Sequence, residues 1–134
     1  MVLGGESRSA IISLTDGDIA LPACPVLTPV DGIVRYIVVI LSPMFPERKP
    51  EPGASLPGLP GSLVSACLLR AERWGGWDTN AKAPLTLYPH LAPGSVLFME
   101  AEEKDLPEIT GLHGQTIGKR RTWGFGLIAI GRWT

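Results

Sequence analysis

Ten residues, Gly32 to Leu41, read GIVRYIVVIL. Valine and isoleucine branch at Cβ, which crowds a helical turn and suits a pleated strand. The run is apolar almost throughout, so a strand here is expected to be covered on both faces, and Pro43 ends it. Such a strand needs partners, and the rest of the chain is punctuated to supply them. Sixteen glycines and 13 prolines stand among 134 residues, roughly twice ordinary usage. That density of turns excludes a bundle of long helices, and the length fits one domain of common size.

Three further strands are expected. Arg8 to Leu14 (RSAIISL) is short and apolar, with a turn at Asp16-Gly17-Asp18. Gly94 to Ala101 (GSVLFMEA) opens after a Pro-Gly turn, and Trp123 to Trp133 (WGFGLIAIGRW) is the last. In that last strand Phe125, Leu127 and Ala129 alternate against Ile128, Ile130 and Arg132. Trp77-Asp78 and Leu85-Thr86-Leu87 are shorter extended candidates. One longer helix is expected over Ser62 to Arg73, packed on the sheet. Ser62 is a capping residue after Gly61, and Val64, Cys67, Leu68 and Ala71 fall at helical spacing. Asp105 to Thr110 reads as a helical turn. Pro46 to Gly61, with five prolines and three glycines, reads as a mobile loop. A mostly antiparallel sheet with one main helix is an α+β sandwich, a single domain over 1–134.

Apolar residues make up 45% and charged residues 19%, the balance of a globular chain rather than a disordered one. The net charge of -1 excludes a uniformly basic nucleic-acid binder, but it hides a polarity. Glu100, Glu102, Glu103, Asp105 and Glu108 crowd one stretch beside Lys104. Lys119, Arg120, Arg121 and Arg132 follow with no acid among them. Cys24 and Cys67 have no metal-site spacing and read as two buried thiols in a reducing compartment. The longest apolar run, Ile37 to Leu41, is far short of a membrane span of about 20 residues. The N-terminus lacks the basic and apolar regions of a signal peptide, so the expected location is cytoplasmic.

The sequence holds no phosphate-binding GxxxxGK[ST], no GxGxxG after a strand, no HExxH and no GxSxG. His90 and His113 have no acid–base partner at a fixed spacing, so no catalytic residue, metal or cofactor is expected. The segment Gly111 to Gly126, GLHGQTIGKRRTWGFG, says more. Its glycines let backbone approach a ligand closely. Lys119, Arg120 and Arg121 are placed to meet phosphates, and Trp123 either stacks on a base or supports the loop. The acidic stretch just before this loop is expected to oppose its affinity for RNA. The plain alternative is a solvated basic turn.

Several motifs in order resemble one family. They are Gly4-Gly5-Glu6-x-Arg8, Arg35-Tyr36 through Leu41-Ser42-Pro43-Met44-Phe45, Gly75-Gly76-Trp77-Asp78, Pro93-Gly94-Ser95-Val96-Leu97-Phe98 and Gly118-Lys119-Arg120-Arg121-Thr122-Trp123-Gly124-Phe125-Gly126. The last is similar to the glycine-rich loop of the RAMP superfamily. Together they resemble the C-terminal half of the third subunit of the Cmr complex, the type III-B CRISPR RNA-targeting effector. The resemblance implies a ferredoxin-like, RRM-related fold, as the second half of a usually two-domain family. It also implies a non-catalytic subunit that holds the 5′ tag of the guide RNA in antiviral defence, beside the large polymerase-type subunit and other Cmr neighbours. Gly118, Lys119, Arg120, Arg121, Trp123, Gly124, Gly126 and Arg8 would form the RNA site. Two alternatives stand beside it. One is a stand-alone RAMP endoribonuclease using His113 or Tyr88. The other is a protein-interaction module without RNA, whose acidic Glu100–Glu108 stretch and apolar edges serve neighbours only; self-association or dependence on a partner is also expected, through Trp77, Phe98 and Trp133.

Overall fold

The computed structural model describes residues 2–3, 8–9, 11, 13 and 21–133. Gly4 to Glu6, the turn at 16–18 and residues 10, 12 and 14 of the expected 8–14 strand lie outside them. A short ribbon pairs β1 (Val2–Leu3) with β2 (Arg8–Ser9). The body is one antiparallel sheet of β3 (Ile33–Ile40), β4 (Ser62–Cys67), β9 (Val96–Glu102) and β10 (Ile128–Arg132). Between β4 and β9 lie two small ribbons. β5 (Glu72–Trp74) pairs with β8 (Tyr88–His90), and β6 (Trp77–Asp78) with β7 (Ala83–Pro84). The helix α1 (Leu106–Gly111) follows β9 through a 3-10 turn at Glu103–Asp105.

The main sheet runs β10-β3-β9-β4, every neighbouring pair antiparallel. The path from β3 to β4 steps over β9, and the path from β9 to β10 steps back over β3. The register sorts the side chains. Val34, Tyr36 and Val38 stand opposite Ala101, Met99 and Leu97, and Ile40 and Val38 opposite Ile128 and Ile130. All of these are buried, and Ile109 of α1 is sealed against them. Burying each large aliphatic chain contributes roughly 1.5–3 kcal/mol, so this face carries most of the stability. The opposite face holds Ile37, Val39, Val96, Phe98 and Ala129, all only half-buried, with Phe98 and Trp133 stacked at 5.1 Å. The expected cover on both faces is therefore complete on one alone.

The expected helix at Ser62–Arg73 is absent. Ser62–Cys67 is the edge strand β4 paired to β9, the chain is irregular at 68–71, and β5 follows. Gly61 explains the difference. It sits at φ 82°, so close to the backbone of Glu100 that a Cβ there would collide with it. The chain thus enters flush against β9, where backbone pairing outweighs a weak helical preference. A bulge between Leu63 and Ser65 shifts the strand's phase by one residue, and that shift imitates a 3–4 spacing.

What fills the sheet's face instead is the proline-rich segment. It has no regular structure, as expected for a loop, but it is packed. Leu56 and Leu59 are buried, Pro60 accepts a 2.6 Å hydrogen bond from the Tyr36 hydroxyl, and Gly53 and Ala54 bond to both sides of Leu63. The two thiols also differ from expectation. Both are free, Cys24 is half-buried and Cys67 is exposed, since Cys67 shares the open face of the edge strand.

Candidate functional site

The last strand begins later than its alternation suggests. Gly124 and Gly126 both take left-handed φ, near 80°, which breaks an extended chain, so β10 starts only at Ile128. The residues before it form a loop fastened to the segment after β3. Lys119 N–H donates to the Phe45 carbonyl at 3.0 Å and Gly126 N–H to the Pro43 carbonyl at 2.9 Å. The Ser42 hydroxyl donates to the Gly124 carbonyl at 2.8 Å and accepts from Leu127 N–H at 2.9 Å. Gly126 lies so near the Ile117 carbonyl that no side chain fits there, and at Gly118 a Cβ would press on the Phe45 carbonyl at 2.6 Å. Arg121–Trp123 makes a 3-10 turn between them.

This fastening lays the basic residues over an aromatic cluster gathered from distant parts of the chain. Phe45 stacks on Tyr88 at 5.2 Å and on His90 at 5.0 Å; His90 meets Phe125 at 5.2 Å. Phe125 in turn meets Trp74 at 5.7 Å and Trp123 at 6.3 Å. The Lys119 ammonium lies 5.6 Å over the Phe45 ring. The Arg120 guanidinium lies 5.8 Å over Phe45, 5.6 Å over Tyr88 and 4.8 Å over Trp123. Each such contact is worth about 0.5–2 kcal/mol, depending on how dry it is. Among the described residues no carboxylate pairs with Lys119, Arg120 or Arg121. Lys119 and Arg121 are exposed, and Trp123 keeps 57% of its surface open. Beside the cluster opens a groove of about 430 Å³ whose walls include Phe45, Lys49, Leu68 and His90.

Of the residues singled out from sequence, Gly118, Lys119, Arg120, Arg121, Trp123, Gly124 and Gly126 are therefore brought together. Arg8 is in β2, opposite Leu3, and no described contact joins it to the loop. Sequence reasoning did not place the floor of the site: Trp74 was not singled out, Phe45 entered only within a motif, Tyr88 only as a catalytic alternative and His90 only as a lone loop histidine. The signal was thin, a Pro-Met-Phe corner after the strongest strand and a Tyr-Pro-His in a turn.

The two histidines have structural partners. His113 Nε2–H donates to the Pro22 carbonyl at 2.8 Å, and its Nδ1 accepts from Ile130 N–H at 3.1 Å. Only the neutral ring can do both, and it ties Pro22 to the outer edge of β10, along which Gly114 and Gln115 also bond. His90 is 1% exposed and donates from Nδ1 to the Tyr88 carbonyl at 2.8 Å, while its buried Nε2 has no hydrogen-bond partner among the described residues. Among the described residues no three metal-ligating side chains gather, and no helix is long and apolar enough to cross a membrane.

The chain matches no curated protein and no solved structure. The family described as CRISPR-associated protein (Cas_Cmr3) matches it over residues 1–133. With that match running to the penultimate residue, the chain belongs to the Cas_Cmr3 family, the CRISPR-associated proteins of the type III-B Cmr complex.

Proposed function

We propose that this Cmr subunit is a non-catalytic RNA-binding component that holds the 5′ tag of the guide RNA in antiviral defence. It contacts the large polymerase-type subunit and other Cmr neighbours, and it works in the cytoplasm. The observation that carries this reading is the basic loop laid over aromatic rings, with no carboxylate paired to it among the described residues. Single-stranded RNA offers flat bases and a charged backbone, and proteins that bind it pair cations with stacking surfaces in this way. Lys119 and Arg121 meet phosphates, and Gly118, Gly124 and Gly126 let the backbone come close. Arg8 is a further contact on the strength of the family resemblance alone. The fold lends support. Two crossovers that each step over an intervening strand are the split arrangement of ferredoxin-like and RRM-related sheets, with the proline-rich segment standing where a first helix would pack.

The test is incubation of the full chain with labelled repeat-derived single-stranded RNA. Retention without cleavage, weakening steeply with salt, supports the proposal. Cleavage that vanishes in His113→Ala supports the endoribonuclease instead. Neither retention nor cleavage leaves the protein-interaction reading.

A further inference from the structure

Arg120 differs from its two basic neighbours. Its backbone is left-handed, φ 60°, a conformation uncommon outside glycine. Its guanidinium is turned inward over three rings, nearest Trp123 at 4.8 Å. Its Nη1 is shielded from solvent and has no hydrogen-bond partner among the described residues. Its carbonyl accepts from Trp123 N–H at 2.9 Å, so backbone and side chain of the same residue both hold the tryptophan. Trp123 has the guanidinium over its ring, Phe125 tilted beside it at 60°, and 57% of its surface open.

We propose that Arg120 is a positioning residue. It backs the Trp123 indole so that the open face stacks on an unpaired base of bound RNA, and it leaves the phosphates to Lys119 and Arg121. This rests on the RNA-binding reading above. A flat, weakly hydrated guanidinium lies along an indole; a lysine ammonium is a compact, strongly hydrated charge without a plane. An indole already held in place loses less freedom when a base arrives. Stacking of this kind accepts any base.

The test uses the full chain and a fluorescein-labelled single-stranded RNA of repeat sequence, titrated across salt, with Arg120→Lys, Arg120→Met, Trp123→Ala, Lys119→Ala and Arg121→Ala. The expected result is that both Arg120 variants and Trp123→Ala weaken binding roughly tenfold to a hundredfold with an unchanged salt slope. Lys119→Ala and Arg121→Ala each flatten the slope by about 0.7. If Arg120→Lys binds as the unaltered chain does while Arg120→Met loses about 0.7 of slope, Arg120 is a phosphate ligand and the proposal is overturned. If the unaltered chain retains no RNA, the RNA-binding reading falls, and amide exchange of the free protein decides the clamp separately. Faster exchange over 120–125 in Arg120→Lys upholds it, and unchanged exchange overturns it.

Discussion

The two ends of the main sheet carry opposite charge and treat it differently. At the start of β3 and the end of β9 stand Glu100, Glu102, Glu103, Asp105 and Glu108. Glu100 accepts from Arg35 at 2.8 Å and Glu102 from Lys104 at 2.6 Å, so this end is partly neutralised where it stands. At the other end Lys119, Arg120 and Arg121 have no carboxylate partner among the described residues, and Lys119 and Arg120 lie over aromatic rings. Paired charge suits a solvated face, and unpaired charge on aromatic rings suits the proposed RNA-binding surface. The acidic stretch precedes the loop in sequence, but the eight-residue strand β3 spans about 25 Å against a Debye length of about 8 Å at physiological salt, so screening is expected to weaken the opposition of the acids farthest from the loop.

Both ends hang on the sheet, so the largest expected effect is on what joins them. Leu97→Ala empties a fully buried position and is expected to lower unfolding free energy by about 2–5 kcal/mol, read by urea denaturation. Next comes the His113 tie. His113→Phe keeps the ring but leaves Ile130 N–H and the Pro22 carbonyl without their partner. A loss of about 1–3 kcal/mol is expected, with RNA affinity unchanged, because His113 lies outside the aromatic cluster. An equal loss of affinity would break the separation between support and binding surface.

That comparison rests on elements of unequal legibility. β3, β9 and β10 were readable because each alternates in register with its neighbour: Val34, Tyr36 and Val38 inward, Arg35 and Ile37 outward. The helical reading of 62–73 failed because a bulge after Leu63 and the pairing with β9 are tertiary facts that local spacing does not record. The basic loop was legible as composition. Its aromatic floor was not, since Phe45 reaches Lys119 and Met44 reaches Leu91 through single bridges between segments far apart in the chain.

Alkaline titration gives a smaller effect. Burial, then the nearby Glu108 and Asp105, raise the Tyr36 phenol well above its ordinary value near 10. The unfolded chain therefore loses this proton first. The stability contributed is complete below about pH 10 and declines as pH rises from there toward the folded value. Tyr36→Phe is expected to flatten that decline in unfolding curves taken between pH 9 and 11, the range set by an ordinary tyrosine at about 10. The smallest effect is at the acidic end. Lys104→Ala breaks an exposed, solvent-screened pair and is expected to leave the urea unfolding curve almost unchanged. Glu103→Gln with Glu108→Gln is expected to change RNA affinity less than about twofold at 0.15 M salt, where screening is strong.

The central claim is that the basic, aromatic end of the sheet is the RNA site. It is tested most directly by the salt dependence of binding to repeat-derived single-stranded RNA, unaltered chain against Lys119→Ala with Arg121→Ala. The account predicts a log–log slope flatter by about 1.4 in the double variant, with unfolding curves unchanged. An equal slope and equal affinity in the two proteins would contradict it.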